Sequence, residues 1–305
     1  MLVIVAPGQG AQTPGFLTPW LDLPGVADRL SAWSEIVRLD LIAYGTTADA
    51  DEIRDTAVAQ PLLVAAALAA AETLGLSLSA DGKGATPDLL AGHSVGELAA
   101  GALAGVLTPE EALGLVRERG QAMARAAAVT RTGMTAVLGG TDVLESIDKH
   151  GLTPANINGA GQIVAGGTLE QLAAFKEEPP ARARLIPLQV AGAFHTSHMA
   201  PAVDDLRAAA AELTPRDPRI KVLSNRDGTV VESGADFVAR LIDQVSNPVR
   251  WDLCMETMAS LGVTRMIELL PGGTLTGLAK RGLRGVETVA LKTPDDLEAA
   301  KELVK

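Results

Sequence analysis

The chain has 305 residues, of which 47% are apolar and only 3% aromatic, and it carries a net charge of −11. That length can bury a large core in one big domain or two smaller ones, and the Ala- and Leu-rich composition suits a soluble, helix-rich α/β protein. The negative charge argues against nucleic acid or an anionic membrane as the main partner. The single Cys254 excludes an internal disulfide, and no Cys/His cluster has metal-ligand spacing.

Met1-Leu2-Val3-Ile4-Val5-Ala6 lacks the basic start of a signal peptide and breaks at Pro7, so it reads as a buried strand. The glycine-rich loop Pro7 to Gln12 follows at the strand's carboxyl end, where parallel α/β sheets bind ligands. No Gly-Lys-Ser/Thr follows, which argues against a phosphate loop. Two readings of the loop stay open: it aims the Gln9 amide at a site, or it is a plain turn. Residues 27 to 60 read as helices and loops, with an acidic stretch around Asp49 to Asp55. Gln60-Pro61 then opens a strongly apolar helix to about Gly75, expected to be packed inside. Its longest apolar run, Leu62 to Ala71, is too short to span a bilayer, and a cytoplasmic location is expected. Ser79 to Thr86 is a Gly/Ala linker.

The stretch Gly92-His93-Ser94-Val95-Gly96-Glu97 follows a short apolar strand, Asp88 to Ala91, and opens a helix to about Gly105. G-x-S-x-G at such a junction fits a nucleophile elbow, whose glycines permit a turn too tight for side chains. The helix N-terminus would supply N–H groups where an oxyanion forms. A glycine-rich loop that happens to hold a serine is the bland alternative. Thr108-Pro109-Glu110-Glu111 starts the next helix, with an N-cap, proline at N1 and acids in the first turn. On it Ala112, Leu115, Val116, Arg119 and Met123 share one face. A guanidinium on a core-facing stripe needs a carboxylate or phosphate, pairs with an internal acid, or snorkels out.

From Gly133 the pattern becomes strand (Met134 to Leu138), helix (Asp142 to His150), strands (Ala155 to Asn158, Gln162 to Ala165), helix (Thr168 to Lys176) and strand (Arg184 to Val190). This β-α-β-β-α-β order predicts a ferredoxin-like subdomain over residues 131–190, inserted into a larger α/β part (1–130 and 191–305) with a cleft at the two junctions. Just past the second junction lie His195 and His198, and a histidine there is a candidate general base for Ser94. His150 reads as a surface residue and Cys254 as a buried structural thiol. Strands at Lys221 to Ser224, Arg265 to Leu269 and Thr288 to Leu291 alternate with helices to the C-terminus.

Seven motifs, in order, are Gly8-Gln9-Gly10-Ala11-Gln12, Gln60-Pro61, Gly92-His93-Ser94-Val95-Gly96-Glu97, Arg119-Gly120, Gly192-Ala193-Phe194-His195, Asn247-Pro248-Val249 and Pro271-Gly272. Together they resemble the malonyl-CoA:acyl carrier protein transacylases of type II fatty-acid and polyketide synthesis. The resemblance implies an α/β-hydrolase-like large subdomain with a parallel sheet and nucleophile elbow. It makes Ser94 the acyl-carrying nucleophile and His195 its base, held by the backbone carbonyl of Gln244. Val95 N–H and the region of Gln9 would form the oxyanion hole, and Arg119 would clamp the malonyl carboxylate. Gln60, His93, Asn156 and Phe194 would line the pocket, Phe194 disfavouring the methyl of methylmalonyl. His198 stands where relatives often carry an apolar residue and competes with His195. The implied partners are coenzyme A thioester and acyl carrier protein, with no cofactor or metal. No heptad seam is visible, and a monomer is expected.

Carrier docking on Lys280, Arg281 and Arg284 is one reading of those residues; a solvated helix face is the other. The competing enzyme class is a serine hydrolase or thioesterase of the α/β-hydrolase kind, which runs Ser…Asp/Glu…His with a late histidine. Here 110 residues follow His195, and simple ester hydrolysis gives Arg119 no role.

Overall fold

The computed structural model describes residues 1–76 and 85–304. The expected linker at Ser79 to Thr86 lies, but for Ala85 and Thr86, outside the described residues. In chain order the elements are β1 (Leu2–Ala6), α1 (Val26–Val37), α2 (Leu41–Thr46), α3 (Thr56–Thr73), β2 (Leu89–Gly92), α4 (Gly96–Ala104), α5 (Pro109–Ala127) and β3 (Thr132–Gly139). There follow α6 (Val143–Lys149), β4 (Thr153–Gly159), β5 (Gln162–Thr168), α7 (Leu169–Glu177), β6 (Ala183–Pro187), α8 (Pro201–Ala210), β7 (Lys221–Leu223) and β8 (Val230–Val231). The chain closes with α9 (Gly234–Gln244), β9 (Val249–Arg250), α10 (Trp251–Ser260), β10 (Arg265–Glu268), α11 (Thr274–Gly282), β11 (Glu287–Ala290) and α12 (Leu297–Val304).

The larger sheet runs β11-β10-β1-β2-β7-β8, parallel except for the β7–β8 edge pair. Successive side chains on a strand point to opposite faces, and here both faces are covered. Leu2, Ile4, Leu90 and Ile267 join the core built with α1, α3, α4 and α5. Val3, Val5, Leu89 and Met266 join the core built with α10 and α11. α3 is long and apolar enough, at 18 residues and mean hydropathy 1.3, to cross a membrane, yet 83% of it is buried inside the protein. It is the central core helix.

α3 begins earlier than Gln60-Pro61. Asp55 caps it, accepting from Ala57 N at 2.8 Å, and Pro61 sits inside the helix. The acidic character around Asp55 conceals a cap that is legible only as one aspartate among several. α5 opens as the sequence predicts, with Thr108 and Glu111 exchanging a capping box.

The smaller sheet has the order β6-β3-β5-β4-β9. Its first four strands, with α6 and α7 between them, give the predicted β-α-β-β-α-β unit. The fifth, β9, comes from the last third of the chain and pairs parallel to β4 at Asn156–Val249. A two-residue strand leaves no periodicity in the sequence to detect. β6 stops at Pro187 rather than Val190, and Leu188 to Val190 turn toward the cleft. His150 is half-buried, its ring edge-on to Phe175 at 5.3 Å. One face of this sheet packs on α6 and α7 through Val137, Ile147 and Phe175. The other presents Met134, Ala136 and Val164 to the larger part.

β1 and β2 are parallel neighbours in register Ala6–Gly92, so the loops at their carboxyl ends emerge side by side. A methyl on Gly92 would overlap the backbone of Gly96 and Glu97, and one on Gly96 would overlap the Ala6 carbonyl. Gly92→Ala is therefore expected to lower stability by about 4 kcal/mol, well above an ordinary point substitution. A denaturant midpoint equal to that of the parent would contradict this.

Candidate active site

Ser94 sits between β2 and α4 with φ of 54°, the left-handed region that costs a side-chain-bearing residue about 1–3 kcal/mol. Its N–H donates to Asn225 Oδ1 at 2.7 Å, and Asn225 Nδ2 donates to the Gly92 carbonyl at 2.8 Å, so one buried amide holds both sides of the turn. The N–H groups of Gly96, Glu97 and Leu98 are taken by the carbonyls of His93, Ser94 and Val95. Among the described hydrogen bonds, that leaves the Val95 N–H free at the elbow, beside the serine and at the positive end of α4. Gln9 lines the same cleft; its side-chain amide donates to the Arg54 carbonyl and Thr56 Oγ1, each at 3.3 Å, tying the loop to the start of α3. The side chain therefore anchors the loop.

His195 meets Ser94 from the other side, its Nε2 2.7 Å from Ser94 Oγ. Its Nδ1 lies 2.8 Å from the Gln244 carbonyl, which can only accept. The proton therefore belongs on Nδ1, leaving the Nε2 lone pair to face the serine hydroxyl. His195 is held in place by its N–H donating to the Val245 carbonyl at 3.1 Å, and the preceding loop by Ala193 N donating to Thr132 Oγ1 at 2.9 Å. His198 is outside the cleft lining, half-buried on the following turn.

The α5 stripe delivers Arg119 to the same place, only 2% exposed. Its guanidinium donates to Gln60 Oε1 at 2.6 Å and Gln244 Oε1 at 2.7 Å, and it comes to 3.5 Å from Ser94 Oγ. Both close partners are neutral amides, and its Nε is buried without a partner. The nearest acid is Glu97, 1% exposed on α4, which takes Asn225 N at 2.6 Å on one oxygen and Gln244 Nε2 on the other. Gln244 thus bridges Arg119 and Glu97 with its side chain while its carbonyl holds His195.

These groups border a cleft of about 560 Å³ between the two sheets, whose far wall includes Met134, Ala136, Asn156, Asn158, Val164 and Leu188. Gln60, His93, Arg119, Asn156, Phe194 and His195 all line it, so the sequence-predicted set converges on one chamber, with the Gln244 side chain just behind. Glu97, Asn225 and Asn158 escape the sequence reading. Asn158 accepts or donates to His93 Nε2 at 2.9 Å and fixes that ring. Glu97 carried a signal: it is the only charge in the segment Gly96–Ala104. Among the described residues no group of His, Cys, Asp and Glu could hold a metal ion.

Burial dominates the titrations. It pushes His195 down to about 3, helped by the positive Arg119 and opposed by the Gln244 carbonyl. It pushes Glu97 up to about 8, opposed by the Asn225 N–H and by Arg119, and Arg119 down to about 10, opposed by Glu97. The Cys254 thiol is driven far above its ordinary range, as an inert core thiol should be. For His195 the unfolded imidazole, near 6.5, binds a proton the folded one refuses. Its stabilising contribution is whole above that pH and is lost as pH falls from 6.5 toward 3.

Residues 3–295 match the acyl transferase domain family. The chain is 52% identical to the malonyl CoA-acyl carrier protein transacylase of Mycobacterium bovis over 99% of this chain and 100% of that protein. It is similar in fold to the crystal structure of MCAT from Mycobacterium tuberculosis, with TM-score 0.93, 52% identity and 100% of both chains covered. The acyl-carrier-protein S-malonyltransferase of Burkholderia pseudomallei superposes with TM-score 0.89 at 34% identity, covering 99% of each chain.

Proposed function

The chain belongs to the acyl transferase family, and on that premise we propose that it moves malonyl from coenzyme A to the phosphopantetheine thiol of an acyl carrier protein through a malonyl-Ser94 intermediate. We also divide it into a catalytic part, 1–130 and 191–305, and an inserted part, 131–190, that walls the cleft. The observation that carries the reading is Arg119: a buried guanidinium within 3.5 Å of the Ser94 hydroxyl, with amide oxygens as its close partners.

His195 Nε2 takes the Ser94 proton as Oγ attacks the malonyl thioester carbonyl. The tetrahedral oxyanion is met by the Val95 and Gln9 N–H groups. Collapse breaks the C–S bond, and His195 returns its proton to the departing thiolate of coenzyme A. In the second half the carrier thiol gives its proton to His195 as its sulfur attacks the same ester; collapse breaks the bond from the acyl carbon to Oγ, and His195 returns the proton to Ser94. Arg119 holds the malonyl carboxylate by two parallel hydrogen bonds throughout. Gln60, His93, Asn156 and Phe194 shape the chamber around the acyl group. Lys280 and Arg281 are exposed in the last turn of α11 and Arg284 just beyond its end, while the first turn of that helix lines the cleft. Lys280 is about 9 Å from that turn at 1.5 Å per residue, within reach of a docked carrier.

Rapid mixing with malonyl-CoA is expected to release about one coenzyme A per enzyme in a burst, then turn over slowly until carrier is added. Steady release without carrier would instead support the hydrolase reading. Because His195 stays neutral down to about 3, the burst rate should be unchanged at pH 5. A loss centred near 6.5 would mean the base is an ordinary imidazole.

A further inference from the structure

Glu97 has no part in the steps above, and yet an acid 1% exposed one turn behind the nucleophile is costly to keep. It does not contact the Ser94 hydroxyl. Its two oxygens are occupied by Asn225 N at 2.6 Å and by Gln244 Nε2. An amide has one donating and one accepting end, and each Glu97 oxygen faces an N–H here, so both act as acceptors. With Glu97 holding the Gln244 nitrogen, the Gln244 oxygen must face the other way, toward Arg119, where it accepts at 2.7 Å. The same nitrogen also reaches the Ser94 carbonyl at 3.2 Å and Asn225 Oδ1 at 3.3 Å, so a turned-over amide would lose partners at both ends.

We propose that Glu97 is a positioning residue for the malonyl clamp: acting through the Gln244 side chain, it fixes the amide so that Arg119 is held at the angle that receives a carboxylate. This rests on the reading of Arg119 as the malonyl clamp. A purely structural Glu97 would affect all acyl groups alike, whereas a positioning Glu97 affects the one that uses Arg119.

Glu97→Gln separates the two. Its oxygen still accepts from Asn225 N, but its new amide nitrogen faces the Gln244 nitrogen, donor against donor. The Gln244 amide loses its anchor on that side, and the angle at which its oxygen holds Arg119 is no longer fixed. The Gln244 carbonyl and His195 are untouched, because they belong to the backbone side of the network. The expected result is a fall of about 10–100-fold in kcat/KM for malonyl-CoA with a change under about threefold for acetyl-CoA. Gln244→Leu keeps the carbonyl on His195 and should shift the malonyl/acetyl ratio in the same direction; adding Glu97→Gln to it should move the ratio no further. Equal losses for the two substrates, or additive shifts in the double variant, would overturn the proposal. If Glu97→Gln does not fold, Gln244→Leu decides alone: an unchanged ratio overturns the relay. A parent enzyme that fails to transfer malonyl at all would sink the functional reading instead.

Discussion

Ser94→Ala is expected to reduce malonyl transfer by about 10⁴-fold or more while leaving the fold intact. The effect is this large because, among the described residues, the hydroxyl hydrogen-bonded to His195 Nε2 is that of Ser94. Ser94 Oγ is the atom that His195 Nε2 addresses at 2.7 Å. Removing Oγ leaves binding and the oxyanion donors but no ester to carry the acyl group. The alanine methyl fits the same backbone, and the Asn225 contacts that hold the turn use the Ser94 N–H and the Gly92 carbonyl, which the substitution preserves. Circular dichroism and melting should therefore match the parent. A variant retaining a tenth of the parent rate would remove Ser94 from the mechanism.

Arg119→Ala should have the next largest effect, and a selective one. Two charge-assisted hydrogen bonds to the malonyl carboxylate, at about 1.5–3 kcal/mol each, correspond to a loss of roughly 10²–10⁴-fold in malonyl kcat/KM. Acetyl transfer should survive or rise. An acetyl group leaves the guanidinium without its carboxylate, which discriminates against it in the parent; without the guanidinium that penalty disappears. Gln60 and Gln244, whose oxygens now accept from Arg119, can find water in the vacated space. Equal malonyl rates in the two proteins, measured at subsaturating substrate, would refute the clamp.

Where a signal is local in the chain, it was legible before the fold was known. The glycines around Ser94 announce a tight turn, and in the fold a Cβ on Gly92 or Gly96 would meet backbone atoms there. A period of 3.6 along α5 places Arg119 on the buried stripe, and it is buried. The β-α-β-β-α-β order predicts the smaller sheet, although β9 joins it from the last third of the chain, Val249 pairing with Asn156. Pairings across long separations were not legible. Asn225 and Glu97 are 128 positions apart, and Gln244 and Glu97 are 147 apart, so no periodicity connects them. The resemblance assigned Gln244 a carbonyl role, and its side chain turns out to bridge Arg119 and Glu97. The start of α3 is hidden for a different reason: a proline reads as a helix opening, whereas here it is tolerated inside a helix capped by Asp55.

The most direct test of the account is intact-protein mass spectrometry after mixing with malonyl-CoA, followed by peptide mapping. A mass increase of one malonyl group on the peptide carrying Ser94, discharged when phosphopantetheinylated carrier is added, is the predicted result. An unmodified protein that nevertheless transfers malonyl, or a label on any other residue, would contradict it.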